Sequence, residues 1–322
     1  MKYLLRVAAL TAALTCIAIA AHASGQKTEI KKSVFTFNTE YGLKLYKYEI
    51  PAEHSQIRPA VIFAFGGGFT HGTPDEPGYL PYFEFLARQG YVVLSIQYRT
   101  ELATYKPTGS SSQLQGFVKA LTKAVTDATT DYLTATGYIL EHAAEWKIDP
   151  AKIVATGSSA GAITAIQAEY AIVTGSAKGL PEGFNYAAMV TFAGALYAEG
   201  APLGIKDFCP IMMFQGDADQ RVPYYSLTVG NSGMYGSHYI AEQLKANGRP
   251  GALYTVLGAD HSMATTPMTQ NLYDIAGFIH HVLTGGKNEF AWTTVTVPGK
   301  VAGTNEMSLR DFISNNMPSS GK

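Results

Sequence analysis

The chain has 322 residues, 47% of them hydrophobic and 15% charged, with a formal net charge of −1 at pH 7. That length suits one large α/β domain or two small ones, and the near-neutral balance gives no electrostatic footprint for nucleic acid or an anionic membrane surface. With 2 cysteines in the whole chain, a disulfide framework is excluded as well.

Residues 1–23 have the layout of a secretory signal peptide. Lys2 and Arg6 give a positive start, 7–21 an apolar run, and Ala21-His22-Ala23 a small-residue cleavage site. The run is short for a membrane span, and small residues rather than charges follow it. Ala13-Leu14-Thr15 before Cys16 make a poor lipidation signal. The expectation is a secreted or periplasmic protein with no membrane span in its mature chain. Residues 24–286 would form one domain, and 287–322 a C-terminal extension.

In chain order, 34–37 and 43–50 alternate in polarity around Tyr41-Gly42, as an antiparallel hairpin does. Apolar runs at 60–65, 92–96, 153–155, 189–192, 211–214 and 253–256 read as buried strands. Helical patterns occupy 79–88, 113–145, 161–172, 236–246 and 271–283. Strands apolar on both faces that alternate with helices imply a mostly parallel sheet covered on both sides. Past 286, residues 291–298 are strand-like and 307–313 resemble a short helix; packing on the domain and a loose tail are both compatible with them.

Ligands of such sheets sit beyond the carboxyl ends of the strands, and four informative sequences fall there. Gly157-Ser158-Ser159-Ala160-Gly161 is a G-x-S-x-G between a strand and an alanine-rich helix. So sharp a turn needs small flanking residues, and it would lift the Ser159 hydroxyl above the sheet, over a helix N-terminus. Phe65-Gly66-Gly67-Gly68-Phe69 follows an earlier strand. Without a Cβ, such backbone can approach an oxyanion closely, and Ala160 after the nucleophile adds a donor.

The third sequence, Gln215-Gly-Asp-Ala-Asp219, offers two candidate acids. Asp219 is preferred because Val222-Pro223 anchor its loop, which leaves Asp217 to brace the turn through its own backbone. The fourth contains Asp260-His261. His261 is the candidate base for Ser159, whereas Asp260 cannot easily reach around its neighbour's ring. His71 and Phe69, beside the glycine run, are candidate substrate-binding residues; for His71 simple solvent exposure fits equally. Cys209 reads as a buried structural thiol, and His280-His281 as ordinary helix residues, so neither a metal nor another cofactor is implied.

On these motifs the chain resembles the α/β-hydrolase superfamily over about 34–283. Glu145-Trp-Lys-Ile-Asp-Pro-Ala-Lys-Ile-Val-Ala-Thr-Gly-Ser-Ser-Ala-Gly161 is similar to that family's WxIDPxRIxxxGxSAGG stretch. Gly216–Asp219 with Val222-Pro223 is similar to its acid loop, and Gly258–His261 to its histidine loop. The likeness is nearest to bacterial carboxylesterases of the hormone-sensitive-lipase-like, acetylxylan-esterase-like and feruloyl-esterase-like branch. It implies the α/β-hydrolase fold, a Ser159–Asp219–His261 triad and oxyanion donors at Gly67, Gly68 and Ala160. Phe65 replaces the histidine that often opens the family's H-G-G-G segment, which puts that loop's internal hydrogen bonding in question. Ala162 replaces the glycine usual after Gly161.

The activity implied is serine carboxylester hydrolysis through an acyl-enzyme, with acetyl or feruloyl esters of polysaccharides as a candidate substrate class. A serine peptidase or amidase of the same fold is the alternative enzymatic reading. A non-catalytic binding protein on this scaffold is a third, and it would predict a lost triad member. Aromatics near the strand ends (Phe69, Tyr79, Tyr82, Tyr98, Tyr105, Tyr197) could stack on a sugar or an aromatic acyl group, although most are expected to pack the domain.

Overall fold

The structure, a computed structural model, describes residues 29–51, 56–107, 113–202, 204–286, 289–296, 299, 302–303 and 307–317. The signal-peptide reading of 1–23 falls outside them. The hairpin forms as expected: β1 (Lys31–Asn38) and β2 (Leu43–Glu49) pair antiparallel, and Gly42 takes the positive φ that the turn needs. Next come β3 (Arg58–Ala64), α1 (Leu80–Arg88), β4 (Val92–Ile96), α2 (Gln113–Glu141), α3 (Ala143–Trp146), β5 (Ile148–Ser158) and α4 (Ala160–Val173). The chain continues through β6 (Ala188–Phe192), β7 (Ala195–Glu199), β8 (Ile211–Gly216), β9 (Ser226–Val229), β10 (Ser232–Gly236) and α5 (Ser237–Ala246). It ends in β11 (Gly251–Leu257), α6 (Pro267–Gln270), α7 (Leu272–Leu283), β12 (Phe290–Thr296) and α8 (Leu309–Asn316).

The main sheet runs β1-β2-β4-β3-β5-β6-β8-β11-β12. Its β1–β2 and β2–β4 junctions are antiparallel and the rest parallel. Helices α2, α4 and α5 pack on one face, α1 and α7 on the other. This is why β4, β6 and β8 are buried along their whole length and read as continuous apolar runs. From β3 the chain crosses to β4 on one side and later to β5 on the other. The carboxyl ends of β3 and β5, in register at Ala64 and Gly157, therefore form the switch point where a doubly wound sheet opens a crevice.

Three findings depart from the expected elements. The helix expected over 113–145 breaks at His142, whose ring Nδ1 donates to Tyr138 O, 2.8 Å away. After the break Trp146 turns inward, its ring 4.7 Å from that of Phe35, and Lys147 ends α3 in a left-handed conformation. A second sheet, β7-β10-β9, was not anticipated; its strands are 4 or 5 residues long and interrupted by Gly230 and Gly233, too short to show a period. Finally, the described residues past 286 pack on the domain. β12 continues the sheet in parallel register with β11, from Gly251↔Phe290 to Leu257↔Thr296. Helix α8 starts with a Ser308–Asp311 capping box and buries Phe312 against Phe117. Among the described residues, no helix is long and apolar enough to cross a membrane.

Candidate active site

The G-x-S-x-G segment forms the turn its glycines foretell. Ser159 sits at φ 52°, ψ −118°, a region that costs a non-glycine residue on the order of 1–3 kcal/mol. Packing over-determines it: Ser159 N donates to Phe192 O at 2.8 Å, and Ser159 O accepts from Ile163 N at 2.9 Å. A Cβ at Gly157 would lie 2.2 Å from Gly161 O, and one at Gly161 2.1 Å from Ala64 O. Neither position has room for a side chain. Helix α4 begins at Ala160, so its positive end lies under Ser159.

The structure brings His261 and Asp219 into one chain of contacts with Ser159. Ser159 Oγ is 2.8 Å from His261 Nε2, and His261 Nδ1 is 2.8 Å from Asp219 Oδ2. An ionised carboxylate only accepts. Nδ1 must then carry the proton, which leaves Nε2 free to take the one on Ser159. Asp219 is 2% exposed. Its other oxygen accepts from Arg221 N at 2.8 Å and Val222 N at 3.0 Å, which fixes the carboxylate's orientation toward the ring. Asp260 lies outside this relay and accepts from Ser262 N at 3.0 Å, capping the turn that carries His261.

Asp217 does something other than brace its own turn. Its Oδ1 accepts from Gly258 N at 2.5 Å and its Oδ2 from Gly303 N at 2.7 Å. It therefore ties the acid loop to the histidine loop and to the C-terminal segment. Its reach across two distant loops was invisible in local sequence.

The glycine loop is held without the missing histidine. The Phe65 ring stacks on Tyr98 at 4.4 Å, and Tyr98 Oη donates to Phe65 O at 2.6 Å. Gly66 N donates to Tyr79 Oη at 3.0 Å, and Thr70 Oγ1 to Gly67 O at 2.8 Å. Burial raises the Tyr79 phenol above its usual range, so it stays protonated. Gly67 and Gly68 take φ of 123° and 61°, and a Cβ on Gly67 would strike His71 O at 2.0 Å. Arg99 and Asp131 hold the strand-end segment that carries Tyr98 in a bidentate pair (Nε to Oδ2 2.9 Å, Nη2 to Oδ1 3.0 Å). Leu102 N then bonds to Phe69 O at 3.0 Å.

Two unlike cavities meet at Ser159. One is a cleft of about 560 Å³, lined by Gly66–Gly68, Tyr79, His261 and Thr265 among others, with His71 at its rim. The other is a mainly apolar cavity of about 30 Å³, bounded by Ser159, Ala160, Gly68, Phe69, Ile163 and Phe312, with Arg221 and Asn316 bordering both spaces. His71 is exposed, its Nδ1 2.7 Å from Thr70 Oγ1. Phe69 is 2% exposed, with φ 59°. Of the other strand-end aromatics, Tyr82, Tyr98 and Tyr197 pack inside the domain, and Tyr79 alone of the set lines the cleft. Cys209 is buried, as expected. Among the described residues, no group of three His, Cys, Asp or Glu is placed to hold a metal.

Sequence reasoning missed several residues that line or brace this site. Ser158 Oγ donates to Ala264 O at 2.8 Å, joining the elbow to the histidine loop. Arg221 Nη1 donates to Asn315 O at 3.1 Å, and Asn316 Nδ2 to Arg221 O at 2.9 Å. These contacts dock α8 on the acid loop. The amphipathic pattern of 307–313 was the available signal, but nothing in it said which surface would receive the helix.

No family model and no curated protein matches the sequence. Among solved structures the chain is similar to a thermophilic esterase, Est2, of the planctomycete Thermogutta terrifontis. The native form is 23% identical and aligns over 79% of this chain and 92% of that one, with a TM-score of 0.57. The chain has the α/β-hydrolase fold. The butyrate-bound form of that esterase gives 24% identity, the same 79% here and 94% there, and a TM-score of 0.56. Its form phosphorylated by paraoxon gives 25%, 79%, 94% and 0.55. Within an α/β-hydrolase, the crevice at the carboxyl ends of β3 and β5 is where a nucleophile on such an elbow would act.

Proposed function

We propose that this chain is an exported serine carboxylester hydrolase, with Ser159 as nucleophile, His261 as base and Asp219 as the acid that orients it. The observation that carries the reading is the unbroken relay of two 2.8 Å contacts from Ser159 Oγ through His261 to Asp219, built on a strained elbow. Ser159 Oγ attacks the ester carbonyl carbon while its proton passes to His261 Nε2. The N–H groups of Gly67, Gly68 and Ala160 receive the developing oxyanion, where each preorganised donor is worth about 10²–10³ in turnover. As the C–O bond breaks, the imidazolium gives its proton to the departing alcohol. Water then attacks the acyl-enzyme with His261 again as base, releasing the acid and restoring Ser159. The leader-like residues 1–23 support export.

The same geometry supports a division of the two halves of the ester between the cleft and the small cavity. The leaving alcohol must take its proton from His261, and His261 borders the large cleft but not the small apolar cavity. On this reading the alcohol occupies the cleft, among Thr70, His71, Thr265 and Asn315, and the acyl group enters the small cavity beside Gly68 and Ala160. A cavity of about 30 Å³ holds about two or three water-sized groups. Of the candidate substrates, that favours acetyl esters of polyhydroxylated alcohols such as sugars over bulky feruloyl esters.

The test is hydrolysis of p-nitrophenyl acetate and of an acetylated oligosaccharide by the full chain beside Ser159→Ala. The reading requires release by the wild type and a fall to the uncatalysed background in the variant. Equal rates for the two proteins would refute it, and cleavage of p-nitroanilides alone would transfer the site to amide chemistry.

A further inference from the structure

We propose that Phe312 of α8 sets the acyl-chain limit of this enzyme, as the wall between the acyl cavity and a second apolar cavity behind it. The inference rests on the esterase reading above and goes on to name the residue that restricts it to short chains. The second cavity is also about 30 Å³ and is lined by Leu114, Val118, Tyr197, Leu227, Val229 and Leu309. Four side chains border both spaces: Phe117, Leu121, Met234 and Phe312. Phe117 and Leu121 belong to α2 and Met234 to β10, elements inside the fold, and all three are buried. Phe312 alone of the four comes from the docked C-terminal helix. It is 7% exposed, and its ring centroid lies 6.2 Å from that of Phe117.

The position of this wall is fixed by the contacts that dock the helix. Asn315 O accepts from Arg221, and Asn316 Nδ2 donates to Arg221 O and, at 2.9 Å, to Phe312 O. Arg221 N is in turn bonded to the triad acid. The ring at 312 is thus placed relative to Ser159 by the loop that places Asp219. An acyl chain longer than the near cavity meets this ring before it reaches the second space. That space is apolar on nearly every side and shares the Phe312 ring with the near cavity as part of its lining.

The experiment measures kcat/KM for p-nitrophenyl acetate, butyrate and octanoate with wild type, Phe312→Ala and Phe312→Ala/Leu227→Trp. The wild type should prefer acetate. Phe312→Ala should raise the octanoate-to-acetate ratio by about tenfold or more, the scale of fitting one or more methylenes into an apolar pocket. Leu227→Trp, which fills the far cavity, should return that ratio toward the wild-type value. Phe312→Leu keeps an apolar contact with Phe117 and reads the same ratio should Phe312→Ala not fold. An unchanged ratio in a folded Phe312 variant overturns the inference and leaves the esterase reading standing. So does equal efficiency of the wild type on acetate and octanoate. Loss of Ser159-dependent hydrolysis of all three esters overturns the esterase reading, and this inference with it.

Discussion

Glu169 gives a stability prediction whose size can be worked out from its surroundings. It lies on α4, the helix that begins under Ser159, and is fully buried. Its Oε1 accepts from Cys209 N at 2.6 Å, and Oε2 has no hydrogen-bond partner among the described residues. Burial, only partly offset by the Cys209 N–H and by the Cys209 and Asn185 side chains, pushes the carboxyl from 4.5 up to about 7. A raised carboxyl pKa means that the folded state binds this proton more tightly than the unfolded state does. The group's contribution is therefore fully present below pH 4.5 and declines as pH rises. It is lost once pH passes about 7. The difference corresponds to about 3 kcal/mol. Glu169→Gln removes the titration and keeps an acceptor for Cys209 N. Thermal unfolding of both proteins near pH 5 and near pH 8 should show the variant gaining on the wild type at the higher pH. At roughly 2–4 °C per kcal/mol for a domain of this size, the gain should be several degrees. A gap between the two proteins that is identical at both pH values would refute the argument that this carboxyl is neutral in the fold.

Two further outcomes follow from the site. Asp219→Asn keeps an oxygen for Arg221 N and Val222 N but turns an amide donor toward His261 Nδ1, favouring the wrong tautomer. In steady-state acetate hydrolysis kcat should fall by about 10⁴-fold with little change in folding, and a fall of only a few-fold would remove Asp219 from the relay. Gly161→Ala places a methyl 2.1 Å from Ala64 O and 2.4 Å from Phe65 O, so the glycine loop and the elbow must separate. Denaturant titration should show a loss of about 1–3 kcal/mol together with reduced turnover, and a variant with wild-type stability and rate would show that the contact gives way freely.

The parts of this molecule that were legible in the sequence are those where one residue type answers one geometric demand. Gly157 and Gly161 could be read because a turn that sharp excludes a Cβ, and a Cβ placed there would come within 2.2 and 2.1 Å of backbone oxygens. The buried strands were legible because a parallel sheet covered on both faces needs continuous apolar runs. The preference for Asp219 over Asp217 rested on Val222-Pro223 anchoring the loop, and Val222 N does bond to Asp219. What stayed hidden was long-range. Tyr79 and Tyr98 supply the bonds that an H-G-G-G histidine would be expected to give the glycine loop, yet nothing in the local sequence points from Gly66 to a residue 13 positions on or from Phe65 to one 33 positions on. The β7-β10-β9 sheet was hidden for another reason, since strands of 4 or 5 residues carry no usable period.

The acid loop is where these hidden contacts converge, and that convergence has a mechanical consequence. Asp217 grips Gly258 N of the histidine loop with one oxygen and Gly303 N of the C-terminal segment with the other. Two residues on, Asp219 holds His261, and two beyond that Arg221 holds α8 through its own carbonyl and its guanidinium. One short stretch thus positions Asp219, the loop of His261 and the helix bearing Phe312. A displacement of α8 large enough to open the acyl cavity must strain Arg221, and Arg221 N is one of the donors that orient the Asp219 carboxylate. The proposed acyl-chain limit and the proposed proton relay are therefore coupled: substitutions in α8 that loosen its docking on Arg221 should lower kcat on short esters as well as broaden chain length, whereas trimming the Phe312 side chain in place should change the chain-length profile far more than the relay.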